Sequence, residues 1–219
     1  MAELVVFGVG DIARLAHHYF TTDSDDTVVA FAVDRAYRRE DKFLGLPIVD
    51  FEEVTARFAP DRYRMFVALS YAKMNGLREL KYLAAKALGY ELASYVSSRC
   101  SYLTGEACGD NCFILEDNTI QPFVTIGSNV TLWSGNHIGH DSTVADHCFI
   151  SSQVVVSGHV RIGPRCFIGV NATLRNGITI GERSLIGAGA VVMKDTAPDS
   201  VYLARPASLL DRRSDEIDL

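Results

Sequence analysis

The 219 residues include one tryptophan, six prolines and five cysteines. An odd cysteine count with no Cys-x-x-Cys pair excludes a disulfide framework or a zinc ribbon. With 48% hydrophobic and 22% charged residues, and 17 glycines without a collagen period, the chain is neither disordered nor fibrous. No apolar run approaches the roughly 18 residues that a membrane span needs. The opening Met-Ala-Glu-Leu-Val-Val-Phe lacks the basic start and long apolar segment of a leader, so a cytoplasmic protein with no membrane partner is expected. Basic residues are in deficit: the net charge is −6 and no dense Lys/Arg run occurs, which excludes a nucleic-acid partner held through its phosphates. The length suits one large domain or two small ones.

What the chain does have is a period. From Ile114 an aliphatic residue recurs at every sixth position: Ile120, Ile126, Leu132, Ile138, Val144, Ile150, Val156, Ile162, Ile168, Leu174, Ile180, Ile186 and Val192. The next residue is often small (Gly127, Gly139, Gly163, Gly169, Gly181, Gly187). This suits a tight corner, because glycine tolerates positive φ and leaves room at a bend. A six-residue unit with one inward aliphatic buries nothing alone, whereas stacked units bury a continuous core, as in a hexapeptide parallel β-helix. The segment resembles the left-handed β-helix of hexapeptide-repeat acyltransferases. In that fold three hexads close one triangular coil and residues 18 apart stack. On that spacing Cys112, Val130, Cys148 and Cys166 form one column of small inward residues, with the thiols as buried apolar filler.

Before about residue 107 the rhythm is different. Leu4–Phe7 reads as a buried strand, followed by a helix to about Phe20. Thr27–Val33 is a second strand, Phe51–Phe58 a helical stretch and Met65–Leu69 a third strand. Asn75–Leu88 reads as a helix on Leu77, Leu80, Leu83, Ala84 and Leu88, and Tyr90–Val96 as a fourth strand. Such alternation predicts an α/β Rossmann-like parallel sheet with helices on both faces. Gly8-x-Gly10-x-x-Ala13, between strand and helix, is a nucleotide phosphate fingerprint: glycines allow backbone approach and the helix N-terminus presents free N–H groups. A purely structural turn is the alternative. Asp11 and Arg14 follow on the helix, and Asp34 and Arg35 end the second strand, where an acid reaches a ribose hydroxyl or base edge. Together with Gly8 and Gly10 they make up the expected substrate-binding set. His17 and His18 are read as structural.

Of the four histidines in the repeat (His137, His140, His147, His159), His140 stands out in Ile138-Gly139-His140-Asp141-Ser142. Two positions after Ile138, it is expected to project outward from the prism. A neutral imidazole removes a proton from an amine or hydroxyl, and a carboxylate neighbour fixes its tautomer. Here the chain resembles nucleotide-sugar acyltransferases that join an N-terminal Rossmann-like domain to a left-handed β-helix: the bacillosamine and perosamine N-acetyltransferases and sialic acid O-acetyltransferase-like proteins. The likeness runs over residues 3–207 and is most specific at Ile138–Val144. It implies three parts: a nucleotide-sugar-binding domain over residues 1–100, a β-helix over 107–195 and a closing segment over 196–219, the end beyond Ser208 being a short capping helix.

The resemblance also implies chemistry. His140 is the general base and Asp141 its orienting acid. Acetyl-CoA is the co-substrate, lying between two subunits of a homotrimer, and no metal is required. Gly158, one coil above His140, is the oxyanion donor, while Val170, Ala188 and Lys194 follow the cofactor's path. Phe149 stands where relatives carry a second, cofactor-contacting histidine, and Ala204 where the closing segment usually has glycine. His147 and His159 are expected to be solvated corner residues and Trp133 a subunit-interface residue. The implied activity is acetyl transfer to a nucleotide-linked amino sugar in bacterial surface-glycan precursor synthesis. O-acetylation of a sialic acid is the runner-up, and an NAD(P)-dependent oxidoreductase, suggested by the fingerprint with Asp34, is the outside alternative.

Overall fold

A computed structural model describes residues 2–209, 211, 213 and 217. The expected helix beyond Ser208 falls largely outside these residues. The chain opens with β1 (Glu3–Phe7), α1 (Asp11–Thr22), β2 (Thr27–Val33), β3 (Lys42–Phe43), β4 (Leu46–Asp50), α2 (Val54–Arg57), β5 (Tyr63–Val67) and α3 (Gly76–Ala87). The sheet order is β3-β4-β2-β1-β5, parallel except for the antiparallel edge strand β3. Alternate residues of β1 face opposite sides, as the strand period requires. Leu4 and Val6 pack with Ala13, Ala16 and Phe20 of α1, while Val5 and Phe7 pack with Tyr82 and Ala85 of α3. The stretch expected to be helical over 51–58 is so over 51–57, as one 3-10 turn, Phe51–Glu53, running into α2.

From Tyr95 the backbone winds into a triangular parallel β-helix built from two-residue strands. Three parallel sheets form its sides, and each strand pairs with the one 18 residues on, such as His137–Ile138 with Val155–Val156. Every repeat aliphatic from Ile114 to Val192 lies in the prism core. A buried aliphatic side chain contributes about 1.5–3 kcal/mol, so each coil brings a core rung of its own.

The coil begins earlier than 107. The strand expected over Tyr90–Val96 is divided: Leu92 makes an isolated bridge to Met65, and Tyr95–Val96 pairs with Phe113–Ile114 of the β-helix. At the far end Val201–Tyr202 returns to pair with Leu185–Ile186. No turn between the two parts offers a flexible linker, because the same stretch ends one sheet and starts the next.

The corner geometry corrects one expectation. Positive φ falls three residues after each aliphatic, at Asp117, Phe123, Asn129, Gly135, Asp141, His147 and on through Gly189, and not at the glycine next to the aliphatic. Those neighbouring glycines serve close approach instead. A Cβ on Gly139 would lie 2.5 Å from the Ser157 carbonyl carbon, and one on Gly169 would lie 2.6 Å from the Ala188 nitrogen. The coil above leaves no room.

The cysteine column holds as expected, with Cys112, Val130, Cys148 and Cys166 fully buried. The thiols also have a polar role: each donates to the carbonyl 15 residues ahead, Cys112 to Gly127, Cys148 to Gly163 and Cys166 to Gly181, all at 3.1 Å.

The first domain covers one sheet and one edge of the prism. Tyr71 meets Phe149 and Phe167, and Trp133 packs into the same interdomain cluster as Phe113 and Leu115. Within its own chain Trp133 thus packs, partly buried, at the domain junction. The side chains of α3 run opposite to the leucine pattern: Leu77, Leu80, Leu83 and Leu88 face outward, and Arg78, Tyr82 and Ala85 face inward. The prism edge below α3 presents backbone carbonyls, which require a donor. Arg78, fully buried, supplies it to Asn129, His147 and Cys148.

Candidate active site

His140 and Asp141 lie on the prism edge between the sheet containing His137–Ile138 and the sheet containing Thr143–Val144. Both are exposed, His140 with 51% of its side chain accessible. The αL conformation at Asp141 (φ 58°) is one that aspartate accepts more readily than most residues. It turns the carboxylate back onto its neighbour, so that Asp141 Oδ2 lies 2.8 Å from His140 Nδ1. A carboxylate only accepts hydrogen bonds, so Nδ1 carries the proton and Nε2 keeps its lone pair. The backbone is held as well: His140 N–H donates to Gln121 Oε1 (2.9 Å), and the His140 carbonyl accepts from His159 N–H (2.8 Å).

Nε2 faces Gly158. A Cβ built there would lie 2.7 Å from Nε2, so only glycine admits this ring position. Gly158 is buried beneath the imidazole, and its N–H donates to no partner among the described residues. One coil further on, the Asn176 amide, in the orientation that satisfies both its groups, donates to the Gly158 carbonyl (3.0 Å). An imidazole with a fixed tautomer thus adjoins a spare backbone donor, the pairing needed to deprotonate a nucleophile and to stabilise an oxyanion.

His159 is a solvated corner residue, as expected, and it stands beside the pair. Its Nε2 lies 4.0 Å from Asp141 Oδ2, and its ring stands edge-on to His140 at 4.9 Å. The 18-residue stacking period would have found it, since it is one coil above Asp141. His147, by contrast, is enclosed at the domain junction. Asn129 Nδ2 donates to its Nδ1 (2.9 Å), Glu79 lies 3.6 Å from its Nε2, and burial lowers its pKa. Phe149 is buried against Phe167 and Tyr71.

Val170 and Ala188 are exposed on a different edge, the one that follows Phe167–Ile168 and Leu185–Ile186. Within one chain they do not converge with His140. Lys194 borders a cleft with Val191, Met193, Asp195 and Tyr202.

In the first domain, Gly8 has a structural reason as well: its φ is +121° and a Cβ would lie 2.8 Å from the Ala68 carbonyl oxygen. Gly10 has none. Nothing lies within 4 Å of its virtual Cβ, and it caps α1, whose first intrahelical bond is from Arg14 N–H to Gly10 O (3.0 Å). No side chain caps α1, and the first N–H groups of a helix have no partner within it, which suits an anion. A cavity of about 260 Å³ opens beside them, lined by Gly8, Val9, Asp34, Tyr37, Leu77 and Lys81. Asp34 is ion-paired with Lys81, which lies over the Phe7 and Phe51 rings. Asp11 and Arg14 form an exposed pair of their own (3.1 Å) away from this lining, and Arg35 is bound to Asp50 and Glu53. Lys81 carried no sequence signal beyond its helical position.

Comparisons with known proteins bear on the fold that carries this geometry. Residues 124–158 match the bacterial transferase hexapeptide (six repeats), and residues 159–194 match the hexapeptide repeat of succinyl-transferase. Together the two matches run without a break over residues 124–194. Over 39 residues the chain is 41% identical to an acyl-[acyl-carrier-protein]–UDP-N-acetylglucosamine O-acyltransferase of Stutzerimonas stutzeri, a match covering 18% of this chain and 15% of that one.

Solved structures extend the likeness to both domains. A variant of perosamine N-acetyltransferase from Caulobacter crescentus, in complex with CoA and GDP-perosamine, superposes with a TM-score of 0.84 at 23% identity, covering 97% of this chain and 98% of that one. The acetyltransferase domain of PglB from Neisseria gonorrhoeae gives 0.81 at 21% identity over 96% and 100%. WeeI from Acinetobacter baumannii gives 0.79 at 18% over 96% and 100%. The fold is therefore a Rossmann-like α/β sheet followed by a left-handed parallel β-helix. No helix among the described residues is long and apolar enough to cross a membrane.

Proposed function

We propose that the chain transfers the acetyl group of acetyl-CoA to the amino group of a nucleotide-linked sugar, in the synthesis of a bacterial surface-glycan precursor. The observation that carries this reading is the His140–Asp141 pair set against the spare N–H of Gly158. His140 Nε2 takes the proton of the acceptor amine as its nitrogen attacks the thioester carbon. Asp141 stabilises the imidazolium that forms, and Gly158 N–H donates to the oxyanion of the tetrahedral intermediate. Collapse expels the CoA thiolate, which takes up the proton held by His140. An amine is favoured over a hydroxyl as acceptor because one solved neighbour of this fold is a perosamine N-acetyltransferase.

The nucleotide end is assigned to the cavity lined by Gly8 and Asp34, with Gly10 next in the chain at the head of α1. Among the described residues no contact joins the first domain to the 139–142 corner, and the sheet that this domain covers is the side facing away from the His140 edge. The reading therefore takes two copies per site, as in a trimer. One supplies the nucleotide pocket and the other the base, and Val170, Ala188 and Lys194 line the CoA path across the junction.

The test is CoA release with a panel of nucleotide amino sugars. His140→Ala abolishes turnover while CoA binding persists; near-normal rates would refute the assignment. Mixing His140→Ala subunits with Gly10→Trp subunits, each inactive alone, restores a fraction of the activity if the site is shared.

A further inference from the structure

His140, Asp141 and His159 form a cluster of possible metal ligands. Their ligand atoms all lie within 4.8 Å of one another on an exposed edge open to water. Two imidazoles and a carboxylate form a donor set suited to zinc, which binds nitrogen and oxygen at about 2.0–2.2 Å, placing ligands roughly 3.3 Å apart in a tetrahedron. The separations of 2.8 Å (His140 Nδ1 to Asp141 Oδ2) and 4.0 Å (Asp141 Oδ2 to His159 Nε2) bracket that value. All three side chains are exposed and free to close by small rotations, leaving a fourth position for water.

We propose that this trio is an inhibitory site for a zinc-like divalent cation, with His140 Nδ1, Asp141 Oδ2 and His159 Nε2 as ligands. The consequence follows from the tautomer. The metal takes the Nδ1 lone pair, and the proton leaving Nδ1 is taken up at Nε2 through water, so the ring stays neutral and nothing is oxidised or reduced. Nε2 is the nitrogen over Gly158 and the one that must accept the substrate's proton. Once metallated at Nδ1, His140 no longer has a basic nitrogen. His159 supplies the third ligand, which turns a common His-Asp neighbour pair into a chelate.

Binding is independent of the proposed reaction, whereas inhibition rests on it, so the two are read separately. Titration of the metal-free protein with Zn²⁺ by calorimetry, without substrate, gives one site per chain, and Co²⁺ substitution gives a tetrahedral visible spectrum. Nitrogen NMR places the metal on His140 Nδ1 and a proton on Nε2. His159→Asn weakens Zn²⁺ binding at least tenfold and, measured against its own metal-free rate, loses zinc inhibition by the same factor. Unchanged Zn²⁺ affinity in His159→Asn, or metal on Nε2 of His140, overturns the proposal. Zn²⁺ binding with these signatures in a protein that shows no acetyl transfer sinks the functional reading and leaves the site standing.

Discussion

Arg78 offers the sharpest test of how the two domains are joined. Its guanidinium is buried with no carboxylate partner among the described residues, and burial pushes its pKa down to about 10, so it stays charged at neutral pH. Nη2 lies 3.0–3.1 Å from the carbonyls of Asn129, His147 and Cys148, Nε 3.2 Å from Asn129 Oδ1 and Nη1 3.3 Å from Ser70 O. The Cys148 carbonyl keeps a second donor in Thr131 N–H (3.0 Å), but those of Asn129 and His147 have no other among the described residues. Arg78→Met retains most of the stem and orphans those two carbonyls, at about 1–3 kcal/mol each. Relief from burying the guanidinium trims the loss, leaving a destabilisation of about 2 kcal/mol. Arg78→Ala adds a void beside the Phe149 ring and brings the loss to about 4 kcal/mol. Urea unfolding followed by fluorescence of Trp133, at the same junction, measures both. If Arg78→Met falls within 0.5 kcal/mol of the parent, these hydrogen bonds do not hold the domains together.

Two glycine substitutions separate the two corner constraints. Gly169→Ala drives a Cβ against the Ala188 backbone and costs about 3 kcal/mol, whereas Gly177→Ala meets open space and pays only for its φ of +74°, about 1 kcal/mol; thermal denaturation ranks them. His147 makes the junction acid-sensitive. Its folded pKa lies below the unfolded value, so the unfolded chain binds the extra proton first, and stability that is complete above about pH 6.5 declines as pH falls through that value toward the folded pKa. His147→Gln flattens this decline in chemical denaturation series between pH 7 and 5.

Much of the fold is legible in the sequence because the prism is periodic. One inward aliphatic per six residues fixes the strands, and the stacking distance then fixes the partners, the cysteine column and the projection of His140. The domain junction is not periodic and was not legible. Arg78 looks like a solvated cation in a leucine-rich helix, and only the carbonyl row beneath α3 explains why it turns inward. The same cause explains Trp133, His147 and Phe149: each lies on the prism surface, where sequence position marks a corner or strand but not what covers it. His159 is a different kind of omission, since adding 18 to Asp141 finds it. The nucleotide fingerprint was half structural: Gly8 answers to Ala68, while Gly10 alone keeps an open face.

The 18-residue closure has a consequence for how such a chain tolerates change in length. Inserting or deleting a whole coil moves later residues up or down the axis but returns each to its own edge. A change of one or two residues rotates the entire downstream helix, taking aliphatics out of the core and separating Gly158 from His140. The geometry therefore favours length changes in steps of one full circuit, or at the two ends.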